Sequence, residues 1–309
     1  MSARLPLSSQ RLIVVTGKGG VGKSAVTAAL ARAASRAGKR VLAVEVGRGR
    51  VGALLGAART DGEPRRVSPG LWAATIEPEE ALGDFVHGVL RIGMLARRLL
   101  QSTSFQVLAA AAPGLAEYLV LHKLAGWLDA RRLSRPTYDL VVVDAPASGH
   151  SLPLLEAPRT LGALARIGPV AEGLRRHQDL LGDPARTLVC LVTTPEELAV
   201  RETIELHREL VVRLMLPVAP AIVNALPPRR FDAADEEALA RLAGDDHPYL
   251  VAARFQIERR REAARQVSAL RRALGGMPIR LPFLFEGPEA PAGLDRLTDE
   301  LAAAAGLAA

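Results

Sequence analysis

Gly17-Lys18-Gly19-Gly20-Val21-Gly22-Lys23-Ser24 decides how this chain folds. The stretch satisfies G-x-x-x-x-G-K-[ST] at every fixed position. It follows the apolar run Leu12-Ile13-Val14-Val15-Thr16 and precedes Ala25–Arg36, which has helical composition. Strand, glycine-rich loop and helix in that order make a phosphate cradle. Glycines let backbone amides wrap an anion, and the helix N-terminus adds positive potential. In such a loop Lys23 reaches the β- and γ-phosphates, and the Ser24 hydroxyl is a ligand for Mg²⁺. Gly17 through Ser24, together with Ala25, are therefore the expected nucleotide-binding residues.

Outward from the loop, the pattern repeats. Val41–Val46, Leu71–Ile76, Tyr138–Asp144, Thr187–Thr193 and Val218–Asn224 are short apolar runs, and Pro278–Leu281 is an expected edge strand. Helical stretches separate them, and Gly38 ends the first helix. Continuous apolar strands alternating with helices predict a doubly wound, mostly parallel α/β sheet covered on both faces. Two stretches, 78–135 and 152–182, read as helical additions forming a subdomain of one domain spanning residues 1–309. Breaks are expected at Pro113-Gly114, Pro153 and Pro158, and fraying at Leu301–Ala309.

Composition narrows the function classes. Of 309 residues, 49% are hydrophobic and 24% charged, which excludes wholesale disorder. Aromatics are 4%, too few for stacking platforms that hold single-stranded nucleic acid. One cysteine, Cys190, forms no internal disulfide, so a reducing cytoplasm is the expected setting. The first ten residues contain no apolar signal core, and no stretch has the length of a membrane span. The net charge is +7, yet only four of the forty basic residues are lysines. The arginine skew with abundant Ala, Gly and Pro reads as coding bias rather than as a nucleic-acid footprint. Two of the four lysines, Lys18 and Lys23, nevertheless fall within six residues. A chain that prefers arginine places them there for chemistry. The basic stretch Arg254–Arg272 reads as a solvated helix face with Glu258 and Glu262 as internal partners. The helical run 82–133, if not simply packed on the core, is a candidate hydrophobic client groove.

Tyr138–Asp144 ends in an acid at the strand tip, where an aspartate holds a Mg²⁺ water in folds of this kind. It continues as Asp144-Ala145-Pro146-Ala147-Ser148-Gly149-His150. This segment resembles the second switch of the ArsA and guided-entry tail-anchored-protein ATPases. Pro113-Gly114-Leu115-Ala116-Glu117, Thr194-Pro195-Glu196 through Glu202, Val223-Asn224, and Pro282-Phe283-Leu284 with Gly293 and Leu294 resemble further family segments, in family order. Lys18, just after the first glycine, is similar to the extra lysine of the deviant Walker A class. The resemblance implies an Mg²⁺-dependent ATPase that works as a dimeric switch. Lys18 would contact nucleotide across the dimer, Asn224 would read adenine, and Pro282 and Phe283 would close over the base. Gly47, Asp144, Pro146, Gly149 and His150 would form the switches, with Ser24 and Asp144 at the metal.

Two departures qualify it. The family's first switch has an aspartate that positions the attacking water, and here Gly47 stands in its place. Glu45, two residues earlier on the same strand side, is the candidate to recover that role. Ala225–Gly276 lacks the C-x-x-C of the zinc-bridged targeting members, so no zinc is expected. Expected partners are ATP or ADP, a second copy or a paralogue, and an unidentified protein client. A weakly or non-hydrolysing nucleotide switch and a ParA/MinD-like DNA- or membrane-associated ATPase are the alternatives, with nucleic acid disfavoured by the switch sequence.

Overall fold

The computed structural model describes residues 5, 7, 10–47, 50–57, 60, 62–78, 114–132, 135–164, 169–242 and 247–307. Most of the expected helical addition 78–135, and Pro113 with it, lies outside the described residues. The elements run in order: β1 (Leu12–Thr16), α1 (Lys23–Arg36), β2 (Val41–Val46), α2 (Val51–Leu54), β3 (Arg65–Ser68), β4 (Leu71–Ile76), α3 (Leu115–Asp129), β5 (Arg131–Arg132), β6 (Arg135–Pro136), β7 (Leu140–Asp144), α4 (Ser148–Leu164), α5 (Pro169–Gly182), β8 (Thr187–Thr193), α6 (Glu197–Arg208) with a π-helical turn (Glu209–Arg213), β9 (Ile222–Leu226), α7 (Ala233–Arg241), α8 (Pro248–Leu274), β10 (Ile279–Pro282) and α9 (Pro291–Ala305).

Eight strands form one sheet in the order β10-β9-β8-β1-β7-β2-β4-β3. All neighbouring pairs are parallel except β3 with β4. The strands are apolar on both sides because both sides are covered. Leu12 and Val14 pack into one core layer; Ile13 and Val15 pack into the other. Leu42 and Val44 against Val41 and Ala43 repeat the alternation, as the two-residue strand period demands. The first layer is completed by α3, α4, α5, α6 and α8, and the second by α1 and α9. Helix α1 lies close to the sheet because its buried face is largely alanine: Ala25, Ala28, Ala29, Ala31, Ala33 and Ala34. Cys190 is in the middle of β8 with no exposure, and burial pushes its thiol up to about 12. It is a packing residue, inert as a nucleophile.

Three expectations about local structure need correction. α4 runs unbroken through Pro153 and Pro158. Each proline forfeits one backbone hydrogen bond, but Leu154, Leu155 and Ala157 are buried, and Gln178 of α5 donates to the Pro158 carbonyl at 3.1 Å. Tertiary packing outweighs the local penalty. The strand expected from Val218 begins at Ile222, because Pro217 and Pro220 lack N–H donors; Val218 makes an isolated bridge to Val189. Edge strand β3 was not anticipated, since Arg65-Arg66-Val67-Ser68 is mostly exposed and shows no apolar run.

The sheet centre sets the stability. Leu42 is fully buried on β2. Leu42→Ala is expected to lower unfolding free energy by about 2–5 kcal/mol, measured by urea denaturation of the nucleotide-free protein.

Candidate nucleotide and metal site

The C-terminal ends of β1, β2, β7, β8 and β9 converge around the loop Gly17–Ser24, the place where open α/β sheets bind ligands. The loop leaves β1 under severe crowding. Gly17 has φ +150°, and a Cβ there would stand 2.1 Å from the Val192 carbonyl oxygen of β8. Only glycine fits. The Gly17 carbonyl accepts from the Ser148 N–H at 3.0 Å, and the Thr16 hydroxyl donates to the Pro146 carbonyl at 3.4 Å. The loop and the 144–150 segment are therefore directly joined.

Lys23 opens α1. Its ammonium donates to the Lys18 carbonyl at 3.1 Å, folded back on its own loop. Burial lowers its pKa, and nearby Asp144 partly restores it. Beside it, the Ser24 hydroxyl donates to Asp144 Oδ2 at 2.6 Å. Asp144 is in register with Val15 on one side and Glu45 on the other. Burial raises its pKa to about 6; Ser24 and Lys23 pull the value down, and Glu45 pushes it up. The other oxygen, Asp144 Oδ1, is buried and makes no hydrogen bond of good geometry, although the buried Thr27 hydroxyl is close enough to Asp144 to help lower its pKa. An ionisable oxygen kept out of water without a good hydrogen bond, next to a hydroxyl, is the donor set a hard cation takes. The residues fit Mg²⁺, which also needs few protein ligands when phosphates supply the rest.

Glu45 is buried, with both oxygens engaged. Oε2 accepts from the Val51 N–H at 2.6 Å, and Oε1 from the Thr75 hydroxyl at 3.1 Å. It ties the start of α2 and β4 to the end of β2. Sequence reading missed these two partners, because neither lies in a recognisable motif. Gly47 follows with φ +80° and donates to the Ile76 carbonyl at 2.8 Å; a Cβ there would meet nothing within 4 Å. The space beside Gly47 is open.

Asn224 of β9 reaches the loop from the other side. Its side-chain amide donates to the Val21 carbonyl at 2.9 Å, and a Cβ on Gly22 would stand 2.3 Å from that same nitrogen. The pairing of β10 with β9 is irregular between Arg280 and Pro282, and Ala225 has φ +57°. A local irregularity at a strand end re-aims side chains beside a site. Pro282 is opposite Leu226, and the Phe283 N–H donates to the Leu226 carbonyl at 2.9 Å. Asn224 and the 282–283 stretch thus share one end of the sheet. Phe283 meets Phe285 edge-on at 5.0 Å, and the Arg259 guanidinium stands 5.5 Å from the Phe283 ring centroid. Gly19 and Gly20 line the open side of the loop. Gly149 and His150 fall in the first turn of α4. Lys18 does not point into its own cradle; its ammonium pairs with Glu202 of α6 at 2.8 Å, 184 residues away in sequence. No sequence pattern connects those two residues.

Asp144 yields a pH-dependent expectation. A carboxyl whose folded pKa lies above its unfolded value near 3.8 costs stability when ionised. Asp144→Asn should therefore stabilise the nucleotide-free protein above pH 6, by on the order of 2 kcal/mol. The gain should shrink as pH falls from about 6 and vanish below about 4, where wild-type Asp144 is protonated in both states. Melting temperatures of both proteins across pH 4–8 check this; a gap that does not close at low pH would refute the buried-charge account.

Residues 10–168 match the family described as anion-transporting ATPase, the ArsA ATPases. The chain is similar to the ATPase BagA of Mycobacterium tuberculosis, 32% identical over 241 residues, covering 74% of this chain and 69% of the relative. It is 28% identical over 329 aligned positions to an arsenical pump-driving ATPase of Escherichia coli, covering 93% of this chain and 53% of that protein. An arsenical pump-driving ATPase of Acidiphilium multivorum is 30% identical over 257 positions, covering 74% of this chain and 43% of its own length. The loop sequence and matches over more than half the length agree: this chain belongs to the ArsA family of ATPases.

Proposed function

We propose that this chain binds MgATP in the 17–24 loop and acts as a slowly hydrolysing switch, two protomers closing over nucleotide to control a protein client. The observation that supports it most is the Ser24–Asp144 pair at the mouth of the loop, with one buried carboxylate oxygen making no hydrogen bond of good geometry. Lys23 leaves the Lys18 carbonyl for the β- and γ-phosphates, where a fixed cation stabilises the charge that develops in transfer. Ser24 and Asp144 would hold Mg²⁺, which would supply positive charge to phosphate oxygens. A water oxygen adds to the γ-phosphorus, the bond to the bridging oxygen breaks, and ADP departs with that electron pair. The water proton passes to phosphate or solvent.

Asn224 and the Pro282–Phe283 stretch take the base, and Lys18 serves the partner's phosphates. Segments 144–150 and 45–47 report nucleotide state, with Pro146 tethered to Thr16 and His150 relaying from α4. On this reading α3, α4 and α5 belong to the subdomain that meets the client. Among the described residues no helix is long and apolar enough to cross a membrane. We place the protein in the cytoplasm, driven by nucleotide rather than by a zinc or metalloid centre.

A second reading has its own support. Glu45 is engaged at both oxygens, and Gly47 has no side chain, so neither residue is poised as a base. On that reading the chain binds nucleotide and scarcely hydrolyses it, with or without a complete paralogue. Multiple-turnover phosphate release from the pure chain separates the two, since only the first predicts release above one equivalent.

Two substitutions follow. Lys23→Ala should weaken MgATP binding at least tenfold by calorimetry, because hydrogen bonds to charged groups contribute about 1.5–3 kcal/mol; unchanged affinity would remove the loop from the mechanism. Gly47→Asp should raise turnover, by up to the roughly 10²-fold lower end of base catalysis. Aspartate tolerates positive φ better than most residues, and the site has space. Equal turnover with intact MgATP binding would show that the missing carboxylate is not what limits the rate.

A further inference from the structure

We infer that Glu202 is a positioning residue for Lys18, holding it on its own protomer until a second copy of the chain closes over nucleotide. The inference rests on the pairing of two copies proposed above. Lys18 is restrained at both ends. Its carbonyl accepts from Lys23, and its ammonium donates to Glu202 at 2.8 Å. Both charged side chains stay about one-third exposed, at 28% and 33%, so another molecule can reach them without unfolding anything.

The two restraints are linked through residue 18. When phosphates draw Lys23 away, the Lys18 carbonyl loses its donor and the loop is freed at that residue. The side chain then remains tethered only by Glu202. A single ion pair exposed to this degree shifts an equilibrium by at most about fivefold. Triphosphate groups of a partner, with several negative charges, outcompete one carboxylate for the same ammonium. Glu202 is thus strong enough to keep Lys18 from the partner when no nucleotide is present, and weak enough to release it. It raises the nucleotide concentration at which two copies pair by no more than about fivefold.

The test is dimer affinity in the presence of magnesium and the β,γ-imido analogue of ATP, measured by sedimentation velocity. Glu202→Gln removes the charge and keeps the shape; Glu202→Ala removes both. Each should tighten the analogue-bound dimer about two- to fivefold, while Lys18→Ala weakens it. In the Lys18→Ala background the gain from Glu202→Gln should disappear, since the two act through one contact. A wild type that pairs, with Glu202 variants pairing equally well or less well, overturns the inference and leaves the dimeric reading standing. Additive effects of Lys18→Ala and Glu202→Gln overturn it as well. No analogue-dependent dimer in the wild type sinks both it and the pairing on which it rests.

Discussion

At residue 17 the chain leaves β1 so close to β8 that a Cβ would stand 2.1 Å from the Val192 carbonyl oxygen. That contact dictates the path of everything after it. A loop that cannot carry a side chain at its first position turns immediately and presents its backbone. It delivers Lys23 and Ser24 to the start of α1, and Ser24 meets Asp144 at the end of the neighbouring strand. The Gly17 carbonyl, turned outward, is taken up by the Ser148 N–H. Displacing Gly17 would disturb the 17–24 loop and the 144–150 segment together, because the Ser148 N–H is bonded to the Gly17 carbonyl.

The surroundings of Asp144 show why such a site is held under strain. Asp144 is buried, acidic, beside Glu45, and has an oxygen that makes no hydrogen bond of good geometry. In a protein built only for stability an apolar or neutral residue would serve better. The cost is sensible if a cation and phosphates complete the set, because ligand binding then recovers the desolvation penalty and adds to folding stability. Glu45 has the opposite arrangement. Its partners, Val51 and Thr75, satisfy it within the protein. Two neighbouring carboxylates at the same strand level are thus divided between a ligand-ready group and a structural one, by nothing more than which has backbone and hydroxyl donors nearby.

The parts legible in the sequence were those where one local pattern corresponds to one environment. Leu12–Thr16, Val41–Val46, Leu71–Ile76 and Thr187–Thr193 are continuous apolar runs because both sheet faces are covered. The loop was legible because phosphate binding constrains consecutive residues. β3 was not, since an exposed antiparallel edge needs no apolar face. Prolines 153 and 158 misled because propensity is a local quantity, and burial of Leu154 and Leu155 overrides it. The Lys18–Glu202 pair, the Asn224–Val21 bond and the partners of Glu45 were invisible for a common reason: each is a contact between segments that only the fold brings together.

The lysines draw these strands together. Lys23 donates to a single carbonyl, Lys18 to a single carboxylate, and Lys39 to the Leu7 carbonyl at 2.6 Å. An ammonium on a flexible stem makes point contacts that can be exchanged one at a time. A guanidinium spreads its donors across a rigid fork, as Arg40 does with both oxygens of Asp139. That geometry suits permanent joints, and this chain uses arginine for them. The loop carries the other kind of cation, one whose resting partner is a single oxygen atom. The scarcity of lysine elsewhere makes its use at positions 18 and 23 intelligible as chemistry rather than composition.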